Sequence, residues 1–275
     1  MFTNDIIVRA LEEDLGEGDI TTEMVIPEEF KGFGSIVAKE SLVAAGLGVA
    51  GGVFLTHDPR IKLNQMVSDG RKVEAGEVLL TAEGSYRSLL QAERVALNFL
   101  QRLCGIATAT RKFVDRVGPS PTQILDTRKT VPIIRHLDKY AVRMGGGHNH
   151  RFGLYDAILI KANHVAACGG SFEEAVRRVC AGHPGRPVEV EVARVDDVGP
   201  AIASGASHLL LDNMSDADVA ASMKTARKKV KIEVSGGISL ERVEGLARLG
   251  VDFISVGALT HSVRASDIHF RIEPR

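Results

Sequence analysis

Residues 126–164 carry the side chains best suited to binding a small anion. The segment contains seven Lys or Arg and four His against three Asp, in a chain whose formal net charge is only −1. Arg128 and Lys129 directly follow one apolar run, and Lys161 directly follows another. Because Lys and Arg at fixed positions match carboxylates and phosphates, this pattern predicts a pocket for a strongly anionic ligand. The alternative is a solvated basic face, which the apolar flanking runs disfavour.

A polar residue or a glycine ends each short apolar run from residue 122 onward. The residues in these positions are Asp126, Lys161, Glu191, Asp212, Ser235 and Gly257. The last four are separated by 21–23 residues, which is the length of one strand, one loop and one helix. Helical segments are predicted at 171–182, 215–229 and 239–250. Repeated units with apolar strands predict a closed or nearly closed βα barrel of six or seven strands, with its active site at the carboxyl ends of the strands.

The last two predicted strand ends are rich in glycine. Ser235-Gly236-Gly237 follows one strand and Gly257-Ala258 follows the next. Glycine lets backbone N–H groups approach an anion closely, and the loops after the final strands are the usual phosphate site of βα barrels. Glycines that only permit turns are the alternative.

Two acids at strand ends, Glu191 and Asp212, have two possible roles. They could accept hydrogen bonds from ribose hydroxyls, or they could bind Mg²⁺, which prefers oxygen ligands. His148 and His150 could form half of a zinc site, but no third His or Cys follows a predicted strand, which disfavours zinc.

The N-terminal residues, 1 to about 105, are predicted to form a separate α+β module. A helix is predicted at 4–14, strands at 34–40 and 78–84, and a long helix at 86–103. Polar residues recur on this long helix at spacings of three and four, and Arg94 is one of them. By itself this pattern is equally typical of an arginine that faces solvent.

The composition is that of an ordinary soluble globular protein. The chain has 44% hydrophobic and 25% charged residues, and its pI near 6.8 gives no reason to expect nucleic-acid or membrane binding. The N-terminal segment lacks the pattern of a signal peptide, and no apolar run approaches the roughly 18 residues of a membrane span. Cys104, Cys168 and Cys180 lack the spacing of a disulfide framework or a zinc site, so we expect free thiols in a reducing cytoplasm.

Long motifs in both halves of the chain resemble the quinolinate phosphoribosyltransferase family. The motifs are ALEEDLGEGDITT (10–22), ERVALNFLQRLCGIAT (93–108), DTRKT (126–130), KYAVRMGGGHNHRFGLYD (139–156), LIKANH (159–164), EVEV (189–192), LLLDNM (209–214), SGGI (235–238) and SVGALTHS (255–262). They are long and irregular, and they cover almost the whole chain. The sequence departs from the family pattern directly after DTRKT. The family usually continues with T-P-G-x-R, whereas this chain has Val131, Ile133 and Ile134 in that segment. Ala162 replaces an acid beside Lys161, and Cys104 replaces a common Ser.

The resemblance implies both a fold and a reaction. Residues 1–105 would form an N-terminal α/β sandwich domain, and residues 106–261 an incomplete βα barrel; the tail, 262–275, is a candidate to pack back on the first domain. Quinolinate and 5-phosphoribosyl-1-pyrophosphate would give nicotinate mononucleotide, pyrophosphate and CO₂ with Mg²⁺ as cofactor. The enzyme would be a homodimer, or a higher oligomer, with active sites shared between subunits.

The resemblance also implies roles for single residues. The quinolinate pocket would be formed by Arg94, Arg128, Lys129, His150, Arg151 and Lys161. The phosphoribosyl group would be bound by Glu191, Asp212, Ser235, Gly236, Gly257 and His261, with Glu191 and Asp212 also holding Mg²⁺, directly or indirectly. The catalytic residues would be Lys129, Lys161, Glu191 and Asp212. Either lysine could assist decarboxylation.

Two other functions fit the same scaffold. One is a related phosphoribosyltransferase with another pyridine-like acceptor, which the complete set of cations disfavours. The other is a non-catalytic sensor of a phosphate ligand, which would have no need for two acids and six cationic residues together.

Overall fold

The computed structural model describes residues 2–226 and 229–275. Within these residues the chain divides into two compact units. The first contains the chain up to Arg111 together with 130–146 and 262–275, and the second contains 112–129 and 147–261.

Strands and helices alternate along most of the chain. The described strands are β1 (Lys31–Ala38), β2 (Leu42–Val43), β3 (Lys62–Gln65), β4 (Lys72–Val73), β5 (Val78–Ser85), β6 (Gln123–Leu125), β7 (Ile158–Ile160), β8 (Val188–Val192), β9 (His208–Asp212), β10 (Lys231–Ser235), β11 (Phe253–Ser255) and β12 (Ile268–Pro274). The described helices are α1 (Phe2–Leu15), α2 (Ile20–Val25), α3 (Leu47–His57), α4 (Tyr86–Val117), α5 (Arg135–Met144), α6 (Ala162–Ala167), α7 (Phe172–Gly182), α8 (Val195–Ala203), α9 (Asp216–Ala226), α10 (Leu240–Leu249) and α11 (Ala258–His261).

The first unit is built on an antiparallel sheet. Among its described residues the sheet has four strands in the order β12-β1-β5-β3. Strand β12 pairs with β1 from Gly32↔Pro274 to Ala38↔Ile268, so the C-terminal residues complete this sheet. Buried side chains such as Phe54 and Leu100 form its hydrophobic core.

Helix α4 is longer than the sequence pattern predicted. The predicted helix ended at 103, whereas α4 continues to Val117. The predicted end was too early, and the helix continues through Gly105, since one glycine inside a helix costs only about 1 kcal/mol. Among the described helices, none combines the length and the apolar character needed to cross a bilayer.

The second unit contains the predicted parallel βα strands. Over its described residues the sheet has six strands in the order β6-β11-β10-β9-β8-β7, and all of its pairs are parallel. The predicted α/β fold, an N-terminal domain followed by an incomplete βα barrel, is confirmed with six strands. Apolar side chains of the sheet, such as those of Leu209, Val234 and Ile254, are buried. The carboxyl ends of β9 and β10 are level, since Asp212 pairs with Ser235.

Ile133 has an unusual backbone conformation. Its φ is +72°, and Ile133 and Asn213 are the non-glycine residues with positive φ in the described part of the chain. Asn tolerates this region, but for a β-branched residue it is strained. Ile133 stands where the resemblance leads us to expect glycine, and its side chain is 78% exposed, so packing gives little in return.

We therefore expect Ile133→Gly to stabilise the protein. Removing the left-handed β-branched residue relieves about 1–2 kcal/mol, and the extra freedom of glycine in the unfolded chain returns about 0.4–1 kcal/mol. The free energy of unfolding should rise by up to about 1.6 kcal/mol, which differential scanning calorimetry can measure. Val131→Gly is the matched control, because Val131 is a nearby β-branched residue without positive φ, and it should lower stability. Equal losses in both variants would show that Ile133 is not strained.

Candidate active site

A cavity of about 650 Å³ opens at the carboxyl ends of the parallel strands. All of its lining residues belong to the second unit. Those that the sequence had predicted as site residues are Arg128, Lys129, His150, Arg151, Lys161, Glu191, Asp212, Ser235, Gly236, Gly257 and His261. The cavity therefore brings together predicted residues that are up to 133 positions apart, from Arg128 to His261.

Arg128 and Arg151 give the cavity its excess of positive charge. Burial is the main cause that lowers the pKa of Arg151, and repulsion from Arg128 lowers it further, while Glu189 opposes the shift. Arg151 also donates a hydrogen bond from Nη1 to the carbonyl of Ala157, at 3.1 Å. Two guanidinium groups that repel each other in a partly buried site favour an anion between them.

Lys161 and Glu191 form an ion pair across neighbouring strands. The Lys161 ammonium contacts the Glu191 carboxylate, and the side chain of Glu191 is only 15% exposed. Asp212, at the end of the next strand, accepts a hydrogen bond from the Asn213 amide at 2.9 Å. The cations and the acids of the predicted site are therefore adjacent rather than segregated.

Glycine is sterically required in the loop after β10. Gly236 has a φ of +90°, and a Cβ at this position would lie 2.2 Å from Oδ1 of Asn213. In the loop after β11, a Cβ on Gly257 would lie 3.1 Å from His261 and 3.2 Å from the Lys129 side chain. Both glycines bring backbone close to polar groups, as an anion-binding loop requires.

Three residues to which sequence analysis gave no role hold backbone around the cavity in place. Arg242, on α10, donates from Nε to Asp216 at 2.7 Å and from Nη1 to the carbonyl of Gly236 at 3.3 Å. Thr260 donates to the carbonyl of Lys129 at 2.8 Å. The third, Asp126, was identified as a strand end but given no role. Its buried carboxylate accepts the backbone N–H of His150 at 2.9 Å.

A buried group of polar residues includes two that line the cavity, His150 and Glu233. His150 Nε2 is 3.2 Å from Glu189 Oε2 and 3.5 Å from Glu233 Oε2. The three possible ligand atoms lie within 4.8 Å of one another. A signal for this group was present in the sequence. Alternate residues of a strand lie on one face, so Glu189 shares its face with Glu191, and Glu233 with Ser235.

Arg94 is not among the described residues that line the cavity. It belongs to α4 in the first unit, where its side chain is 57% exposed and lies 3.9 Å from Glu93. Within one chain it therefore has the environment of a surface arginine.

Comparison with known proteins gives the same family along nearly the whole chain. Residues 19–104 match the family described as quinolinate phosphoribosyl transferase, N-terminal domain, and residues 106–271 match its C-terminal domain. The chain is 45% identical to nicotinate-nucleotide pyrophosphorylase [carboxylating] of Mycobacterium leprae, over 96% of this chain and 95% of that protein. It is 42% identical to the probable enzyme of the same name from Bacillus subtilis, over 93% of this chain and 88% of that protein.

A solved structure has the same fold. The nicotinate-nucleotide pyrophosphorylase from Francisella tularensis superposes with a TM-score of 0.93 at 39% identity, covering 99% of this chain and 96% of that one.

Proposed function

The chain belongs to the quinolinate phosphoribosyltransferase family, and we propose that the cavity at the carboxyl ends of its parallel strands is the active site. The enzyme is a pentosyltransferase. It transfers the phosphoribosyl group of 5-phosphoribosyl-1-pyrophosphate to quinolinate. The products are nicotinate mononucleotide, pyrophosphate and CO₂, in the de novo synthesis of NAD.

The observation that carries the assignment of the quinolinate pocket is the presence of Arg128 and Arg151 in the wall of one cavity. Quinolinate is a dianion with adjacent carboxylates, so removing it from water requires several cations. Lys129 and Lys161 line the same cavity. We assign these four cations to the two carboxylates of quinolinate.

The glycine loops suit the 5′-phosphate. Ser235, Gly236 and Gly257 offer backbone N–H groups, and His261 lies against Gly257. Glu191 and Asp212 suit the ribose hydroxyls or Mg²⁺. Two carboxylates beside an amide are a donor set that fits Mg²⁺, since this ion takes one or two protein carboxylates together with substrate phosphates. When bound, Mg²⁺ would neutralise charge on the pyrophosphate group.

Positioning and charge can account for both chemical steps. The ring nitrogen of quinolinate attacks the anomeric carbon as pyrophosphate leaves, through an oxocarbenium-like centre. The nitrogen is then cationic and accepts the electron pair of the carbon–carboxylate bond as CO₂ leaves. A proton takes the place of that carboxylate. Lys129 and Lys161 are the cavity ammonium groups that we assign to this transfer, either of which can supply it.

Turnover with purified protein tests the function. Quinolinate, 5-phosphoribosyl-1-pyrophosphate and Mg²⁺ should give nicotinate mononucleotide and CO₂ in equal amounts, measured by chromatography and by release of labelled CO₂. Omitting any one of the three should stop the reaction. Tight binding of both substrates without turnover would instead favour a sensor.

Asp212→Asn should affect the binding of the two substrates differently. We expect it to weaken binding of the phosphoribosyl donor in Mg²⁺ by about 10- to 100-fold, because a charged acceptor is lost. Quinolinate binding should hardly change. Glu191→Gln should also weaken binding of the phosphoribosyl donor. Because this change frees Lys161 from its ion pair, quinolinate should bind at least as well as to the wild type. Calorimetric titration of each ligand measures these effects, and equal losses for both ligands would contradict the assignment.

We further propose a homodimer in which Arg94 of one subunit completes the quinolinate pocket of the other. The exposure of Arg94 supports this proposal. Arg94 lies outside the cavity of its own chain, so it could bind quinolinate only in the cavity of a partner subunit. Exposed apolar side chains on α2 also suit a partner surface, with Ile20 79%, Met24 87% and Val25 69% exposed. The proposed location is the cytoplasm, where free thiols such as the exposed Cys180 persist.

A further inference from the structure

Four polar side chains form a connected group inside the parallel sheet. His150 contacts Glu189 and Glu233 through Nε2. The carboxyl groups of Glu233 and Glu189 lie within 4.8 Å of each other. Ser255 donates to Glu233 Oε1 at 2.6 Å. Glu233 and Ser255 are each only 3% exposed, so this group forms a buried part of the cavity wall.

The hydrogen bonds of His150 determine which ring nitrogen carries the proton. The backbone N–H of Arg151 donates to Nδ1 of His150 at 2.7 Å, so Nδ1 is an acceptor without a proton. A neutral imidazole then carries its proton on Nε2, and Nε2 faces the two carboxyl groups. Both ring nitrogens are therefore used inside the protein, although the ring itself lines the cavity.

Glu233 completes the group as a neutral acid. Burial is the main cause that raises the pKa of Glu233 to about 8, and repulsion from Glu189 adds to it. Both causes favour the protonated form, in which the carboxyl group can donate to Glu189 while accepting from Ser255.

We propose that His150 is a positioning residue and not a ligand of either substrate: Glu189 and Glu233 hold it as the Nε2–H tautomer, and its Nδ1 fixes the backbone of Arg151, whose guanidinium receives quinolinate. This proposal rests on the proposed function, because it assigns Arg151 to quinolinate. It changes the expected role of His150 from binding the substrate to orienting the residue that binds it.

The same three residues could suggest a metal site. His150, Glu189 and Glu233 present ligand atoms close together. A metal ion would require the lone pair of Nε2, but this nitrogen carries the proton when Nδ1 accepts from Arg151. The hydrogen bonds thus favour positioning over metal binding.

The tautomer can be measured directly in the intact enzyme. In ¹H–¹⁵N spectra of protein labelled at histidine, the His150 ring is identified by the signals that His150→Asn removes. We expect a protonated Nε2 and an unprotonated Nδ1, unchanged at saturating quinolinate. A proton on Nδ1, or a doubly protonated ring after quinolinate binds, would overturn the proposal. A shift of the Nε2 signal on adding Zn²⁺ or Mg²⁺ alone would favour the metal site instead.

Substitution of Glu233 tests the positioning role in the reaction. Glu233→Gln keeps a neutral group that can accept from Ser255 and donate to Glu189, so KM for quinolinate should stay within about 3-fold of wild type. Glu233→Ala removes both bonds and should raise that KM by about 10- to 100-fold, because the guanidinium of Arg151 is displaced. KM for the phosphoribosyl donor should be unchanged in both variants.

Thr122→Val is the matched control for a purely structural loss. Thr122 is also buried, and it donates to the carbonyl of Val251 at 2.6 Å, at the amino-terminal end of the same sheet. It should lower stability without changing KM for quinolinate. If Glu233→Gln impairs quinolinate binding as much as Glu233→Ala, or if both substrates are affected equally, the positioning role is wrong. The spectra need no turnover, so they separate this result from a failure of the proposed function.

Discussion

Nicotinate should be turned over with a kcat/KM about 10⁴-fold lower than that of quinolinate. A site built for a charged group rejects an analogue without it to this degree, because its own buried groups are left unpaired. Arg128 and Arg151 already repel each other in the cavity, and one carboxylate would leave part of that charge uncompensated. The 2-carboxylate is also the group that leaves as CO₂, so nicotinate could undergo only the transfer step.

Initial rates at saturating 5-phosphoribosyl-1-pyrophosphate measure this discrimination. KM for the phosphoribosyl donor should be the same with either acceptor, which serves as the internal control. Calorimetry should also find weak binding of nicotinate alone. Comparable kcat/KM values for the two acceptors would mean that the cations of the cavity do not bind two carboxylates.

Mixing two inactive variants should restore about a quarter of wild-type activity. Arg94→Ala and Lys161→Ala should each abolish turnover, since leaving a buried carboxylate unpaired costs about 2–5 kcal/mol. If Arg94 acts in the partner's pocket, a mixed dimer collects both defects in one site and leaves the other intact. Half of the dimers are mixed after random exchange, and each has one good site of two.

A second mixture provides the control for this experiment. Arg151 and Lys161 line the same cavity of one chain, so mixing Arg151→Ala with Lys161→Ala leaves one defect in every site. This pair should recover no activity. Subunit exchange can be verified by native mass spectrometry of tagged chains. If Arg94→Ala and Lys161→Ala also fail to complement after verified exchange, Arg94 serves its own chain or has no part in the site.

Local sequence patterns predicted many of the residues that line the cavity. Lys161, Glu191, Asp212 and Ser235 were predicted at strand ends, and each lies at the carboxyl end of a parallel strand and lines the cavity. This was possible because a polar residue that ends an apolar run is a local signal, and parallel βα units bring all such ends to one side of the sheet. The length of α4 was less well predicted, because the helix continues past its predicted end at 103 to Val117.

Only the tertiary structure decided which of these side chains contact one another. The sheet order sets β6 beside β11, so that Thr260 can hold the carbonyl of Lys129, and no local pattern contains that order. The pairing of Lys161 with Glu191 depends on the register of two strands. The contact between His150 and Glu233 joins residues that are 83 positions apart. Periodicity gives the face on which a residue lies, but its neighbours and its proton depend on how distant segments pack, and that information exists only in the folded chain.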